Sequence, residues 1–493
     1  MFRRVAVLAL VSAAVLGCIL GAPYLTGFEL KVGRTVASQV QQVTAKNLGL
    51  VCPGAVLASG GSTGTKVGSF ARLATSGVDY SSNLGSGATL QTRTLTGAAG
   101  SATTLPDTGG GQQLLSGADA FVLEVQDPTG VLPQGSGLLA AQSFQLVKSA
   151  NFNGLVAANC QRPTVEQWLL GANTTVGRES LLILANPNPT DASVSLELYG
   201  QNGKIQSGGN GQIAVAAYKS TVVPLAGLAP QDQVLAIRVA TSGATVASWV
   251  QQKTVRGTQA AGADLISPIN TTQGKQVIPG LFKRGTKDAT GLIKLNANYA
   301  DLTPNLALFV PGDKAANVTA QVVGTDSKTF GTVVQTRLEP GRAALFPLTG
   351  LKDGNYAVFI SSDQPIMSAA QLSRTNVTKT PNTDFSWLPA VDAATGPRTI
   401  NVPKSGISKL SIANPSELAQ VVTVTNVATG KVISVRIGRL TSVAVEVESG
   451  SVVRVESQSP VASTLIVDID WQLAALALTD YRNLGGKITV AVR

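Results

Sequence analysis

The chain has no histidine. Ser-His-Asp and Cys-His nucleophile pairs are therefore excluded, as is any zinc or iron site built on imidazole. Cysteine is almost as scarce. Cys18, Cys52 and Cys160 are the whole complement, too few for a thiolate metal centre. Charged residues make up 13% of the chain, about half the usual share. The formal net charge is +10, but it is scattered, with no dense Lys/Arg block of the kind that nucleic-acid binding needs. The enzyme types that survive are paired-carboxylate glycosidases and Ser-Lys hydrolases. No Ser-x-x-Lys with supporting partners stands out. Asp468-x-Asp470 places two carboxylates on one face of a strand, but calcium needs several more oxygen ligands, so a polar edge is the better account. No catalytic residue, metal ligand or cofactor is expected.

One long apolar run is present. Arg3-Arg4 precede Val5 to Leu25, an uncharged stretch that as a helix spans about 31 Å, close to a bilayer's hydrocarbon core. The basic flank holds the amino end in the cytoplasm and sends the remainder outward. Pro23 disfavours cleavage near Gly21-Ala22, and the run continues past Cys18, which fits a lipidation site poorly. An uncleaved signal-anchor over residues 1–28 is the expectation. In an oxidising compartment Cys52 and Cys160 form the only even pair outside the membrane, and a disulfide between them is the default. Closing a loop of roughly 110 residues contributes about 4 to 5 kcal/mol in the chain-entropy model. Two buried free thiols are the alternative.

After the anchor the chain is expected to be all-β. Residues 29–50 read as a stalk or short helix and 51–163 as an irregular β-domain. Three tandem units follow at 164–264, 265–383 and 384–493. The unit is clearest from Glu179 to Gln252. The run Leu181–Leu184 ends in Ala185-Asn186-Pro187, then Val194-Ser195-Leu196-Glu197-Leu198 alternates, and further short β-branched runs follow. Leu410 to Pro415 repeats the opening with the same Asn-Pro end, and Leu306 to Pro311 varies it. Each unit offers six or seven strands, the count of an immunoglobulin-like sandwich. The alternative is a β-propeller in which each unit supplies two four-stranded blades. Proline-bearing stretches, Leu265 to Phe282 and Asp384 to Pro403, read as connectors. Apart from the 29–50 segment and Thr164 to Leu169, no helix is expected after the anchor.

The segment Gly154-Leu155-Val156-Ala157-Ala158-Asn159-Cys160-Gln161-Arg162-Pro163, followed by Gln167-Trp168-Leu169-Leu170-Gly171, resembles a signature of an uncharacterised family of secreted actinobacterial proteins, the domain of unknown function 5719. Asn186-Pro187, Asn414-Pro415, Gly257 to Asp264, Val277 to Gly280 and Asp384-Phe385-Ser386-Trp387 match it in the same order. The resemblance implies an extracytoplasmic envelope protein and no assigned activity.

The expected function is that of a non-catalytic, membrane-anchored structural or interaction protein of the cell envelope, outside the cytoplasm. The alternative is an envelope polysaccharide-binding module that assists polymer assembly or attachment. Envelope glycans or proteins are the expected partners, besides the membrane itself. Trp168, Trp249, Trp387 and Trp471 are the candidate ligand-facing aromatics. Packing between sandwiches is the better account of them, since Trp249 and Trp471 end strands and Trp387 lies in a connector.

Overall fold

The computed structural model of the chain describes residues 39–44, 47–59, 70–73, 75, 76–84, 87–97, 101–126, 139–149, 152–206, 212–269, 272–325, 330–377, 381–479 and 487–492. The expected anchor, Val5 to Leu25, lies outside them. Among the described residues no helix is long and apolar enough to cross a membrane. Two compact units are present. In the smaller, Gln39–Thr44 pairs antiparallel with Lys487–Val492, Gln39 opposite Val492. The larger spans Ala45–Gly486. Where a stalk or helix was expected over 29–50, the described residues are therefore strands. The apolar run Asn47–Cys52 completes a ladder with Phe121–Gln126.

The larger unit repeats one eight-strand topology four times. In the second repeat the strands are Glu166–Ala172, Arg178–Asn186, Ala192–Gly200, Gln212–Val215, Lys219–Pro224, Leu235–Ser242, Ala247–Arg256 and Gln259–Ile266. The first, sixth, third and fourth form one antiparallel sheet, to which Gly203–Lys204 adds a short hairpin arm. The fifth, second, seventh and eighth form the other. Both orders recur in the repeats that begin at Asn47–Cys52, Lys275–Lys283 and Arg398–Asn401. Residues 47–159 thus follow the same plan as the rest, with a small extra sheet, Leu57–Ser59 against Phe70–Arg72, inserted after the first strand.

Local sequence explains the outer strands. In Ala192–Gly200 the residues Val194, Leu196 and Leu198 are buried while Ser195 is exposed, the period of two that one covered face requires. The Asn-Pro ends are turn ties. The Asn186 side chain donates to the Thr190 and Val215 carbonyls at 2.8 and 3.0 Å and accepts from Asn188 N at 2.9 Å. Asn414 repeats this, donating to Leu418 and Gly438 and accepting from Ser416 N. Both asparagines are fully buried, so their polar groups need these partners.

The connectors are corrected. Lys275–Lys283 and Pro381–Pro389 are strands at the inner edges of their sheets, and the 383/384 boundary cuts the second of them. Their prolines fit because one edge of each strand is unpaired, and a bulge follows Pro279. One helix was also missed. Thr286–Leu295 lies between the first two strands of the third repeat, with Asp288 in its first turn and Lys294 in its last. Gly291 in its middle and the single buried stripe of Ala289 and Leu292 hide it from a periodicity reading. Thr164 to Leu169 falls largely in the strand Glu166–Ala172, not a helix.

Four of the hydrophobic clusters each bridge two successive repeats. Leu169, Leu182 and Ile237 of the second repeat share a cluster with Phe309 and Met367 of the third. Ile278, Leu306 and Val358 of the third continue to Ile466 and Leu473 of the fourth. Leu410, Val424 and Val455 of the fourth reach Leu155 and Ala157 of the first. Val51, Val122 and Val156 of the first join Leu181, Ile183 and Trp249 of the second. The series closes on itself, so both faces of successive sheets are covered. The four eighth strands, Phe152–Asn159, Gln259–Ile266, Pro381–Pro389 and Gln472–Ala477, pack around a common axis.

Candidate functional site at the axis

Each axial strand is the free edge of its sheet, so its inward N–H groups lack a ladder partner. Acidic and hydroxyl side chains supply one. Asp384 Oδ2 accepts from Leu155 N at 3.0 Å and Leu473 N at 3.1 Å. Its Oδ1 accepts from Ala263 N at 3.1 Å and Phe385 N at 3.0 Å. One carboxylate therefore ties all four axial strands. Beside it, Asp264 Oδ2 accepts from Trp387 N at 2.7 Å and from the Ser386 hydroxyl at 3.2 Å, and that hydroxyl accepts from Ala475 N. Burial pushes the Asp384 carboxyl well above the usual range, opposed by its four amide donors. Burial likewise raises Asp264 to about 7, against the pull of its donors.

The strands approach closely enough that only glycine fits at two points. A Cβ on Gly154 would lie 2.7 Å from Ala263 N. Gly262 has φ +114°, and a Cβ there would lie 2.9 Å from Asp384 Cα. The glycines and the Asp-Phe-Ser-Trp run that looked like signature motifs are thus the parts that close the axis.

Beyond the carboxyl ends of the axial strands lies a cavity of about 570 Å³. Asn159, Gln161, Arg162, Ser267, Pro268, Trp387, Pro389, Asp392 and Leu478 are among its walls, with Glu166. The expected disulfide is formed: Cys52 and Cys160 are bonded, fully buried, with Cα atoms 4.2 Å apart. The next residue, Gln161, exchanges backbone hydrogen bonds of 2.7 Å with Val51, and its amide donates to the Ser248 carbonyl at 2.9 Å. Asn159 donates to the Ala477 carbonyl at 2.8 Å. The rim segment carrying Arg162 is thus held on both sides. Arg162 lines the cavity half-buried, and burial lowers its pKa. Glu166 is gripped by Arg238 through contacts of 3.1 and 3.0 Å, which hold its carboxyl below the usual range.

The tryptophans do not form one ligand-facing set. Trp249 is fully buried, its indole donating to the Asn159 carbonyl at 3.4 Å. Trp387 is 4% exposed, lies in a strand, and donates to Gln252 Oε1 at 3.0 Å. Trp249 is a packing residue, while Trp387 packs in the core and shows an edge to the cavity. Trp168 is half-buried against Tyr199 and Phe309, with centroids 5.9 and 5.5 Å away. Trp471 is half-buried in the turn before the last axial strand. Asp468 and Asp470 face separate cations, Arg374 at 3.5 Å and Lys148 at 3.6 Å. No metal-holding group of acids or cysteines occurs among the described residues.

Asp384, Asp264 and Arg162 were visible in the sequence only as motif letters. The available signal was an acid inside an otherwise apolar or small-residue run. A search of curated proteins returns no match. A family model described as "Family of unknown function (DUF5719)" matches residues 116–458, from the fifth strand of the first repeat to the end of the sixth strand of the fourth. The chain belongs to this family.

Proposed function

We propose that this is a non-catalytic, membrane-anchored interaction protein of the cell envelope, folded outside the cytoplasm as a closed, propeller-like ring. In this reading each sandwich repeat supplies two blades, and the binding surface is the axial mouth. The uncharged run after Arg3-Arg4 and the Cys52–Cys160 disulfide support an exported, anchored chain. The observation that carries the non-catalytic reading is the use of the axial acids. Asp384 and Asp264 are each 1% exposed and spend their lone pairs on main-chain and hydroxyl donors. A glycosidase needs two carboxyl groups that reach substrate across a cleft.

A polysaccharide-binding role is the second reading, favoured by the mouth. Its volume suits a ligand of small-molecule size, and its walls mix polar groups with apolar ones. The test is binding of the full chain in detergent to a panel of envelope glycans, lipids and proteins, with hydrolysis followed in parallel. Saturable glycan binding without turnover supports the second reading. Capture of a protein with silence from the glycans supports the first alone. Turnover of any glycan overturns both.

A further inference from the structure

We infer that the axial mouth binds an anionic group, a carboxylate or phosphate carried on a sugar-sized body, with Arg162 as its anchor. The sugar-sized body rests on the polysaccharide-binding reading; the anionic group does not. Arg162 lines the cavity and has no acidic partner among the described residues. Elsewhere, Arg72, Arg178, Arg238, Arg256 and Arg374 each face an aspartate or glutamate.

Glu166 at the mouth is committed to Arg238, and Arg162 is shifted by burial alone, with no carboxylate raising its pKa. A half-buried guanidinium without a counter-charge is unfavourable, and an incoming anion relieves it with paired, charge-assisted hydrogen bonds. The anchor is also positioned in advance. Cys160 is fixed by its disulfide, Gln161 by its bridge to Val51, and Pro163 restricts the Arg162 backbone to extended conformations. Fixing the anchor before binding lowers the ordering cost of capture. With one uncommitted cation at the rim among the described residues, the fitting ligand carries one anionic group there.

The test is calorimetric titration of the full chain with a uronic-acid disaccharide, a sugar phosphate, the matching neutral disaccharide and inorganic phosphate, repeated for Arg162→Gln and Arg162→Lys. The expected result is saturable binding of at least one anionic sugar, weakened tenfold or more by Arg162→Gln and less by Arg162→Lys. Whichever anionic sugar binds distinguishes carboxylate from phosphate. Arg162-dependent binding of inorganic phosphate without any sugar keeps the anion site and removes the glycan body. Equal binding of neutral and anionic disaccharides, unchanged by Arg162→Gln, keeps the glycan reading and overturns the anion site. No binding by any anionic probe also overturns it. Arg162 makes no hydrogen bond or ion pair among the described residues, so the melting temperature of Arg162→Gln should match the parent's, which separates lost binding from lost folding.

Discussion

Asp384 joins strands from all four repeats through one carboxylate. Replacing it with alanine leaves four buried N–H groups without acceptors. At about 1 to 3 kcal/mol for each unsatisfied group, the loss should reach about 4 kcal/mol or more, read by denaturant unfolding. Asp384→Asn should recover little, because its amide nitrogen would face main-chain donors. An asparagine variant as stable as the parent would refute the four-acceptor account. Asp264 gives a pH-dependent counterpart. Its carboxyl titrates near 7 in the folded chain against 3.8 as the ordinary value. Its contribution to stability is therefore complete below about pH 4 and is lost as pH rises through 7. A shift of three pH units corresponds to about 4 kcal/mol. Between pH 4 and pH 8, Asp264→Asn should gain on the parent by up to that amount in denaturant unfolding. Parallel pH profiles for the two proteins would show that the carboxyl is not held in this way.

Among elements, the link between Cys52 in the first strand and Cys160 after the eighth fastens the ends of the first repeat. Across a separation of 108 residues the chain-entropy model gives about 4 to 5 kcal/mol. Cys52→Ser should lower the melting temperature, and so should reduction of the unfolded parent before refolding. No change in either would mean that the first repeat is held by its ladders alone. This pair was legible in the sequence because Cys18 lies in the apolar run and two cysteines remain. The outer strands were legible too: Val194, Leu196 and Leu198 alternate with polar neighbours because one face meets solvent. The inner strands were not. Gln251, Gln252, Lys253 and Thr254 form a polar run that is buried throughout in a strand paired on both sides, so hydropathy gives the wrong answer next to the axis. The role of Arg162 was beyond reach for another reason. Lack of a counter-charge depends on what surrounds a residue in space, and no local pattern records it.

For the larger unit as a whole, the continuous cores predict how it unfolds. Calorimetry should show one transition whose van't Hoff and calorimetric enthalpies agree. Removing residues 398–479 would strip cover from Leu155 and Ala157 on one side and from Ile278 and Leu281 on the other. The three remaining repeats should then fail to fold cooperatively. A row of independent sandwiches would instead keep its melting temperature after the same truncation.

The closure of the fourth repeat onto the first also governs the life of the chain during synthesis. Asn159 must wait for the Ala477 carbonyl, 318 residues further along. At about 5 to 20 residues per second, the ribosome needs roughly 15 to 60 s to supply it. Throughout that interval the apolar flank of the first repeat has no neighbour. Such a nascent chain is a natural client for a holding chaperone, and its yield should depend on one being present.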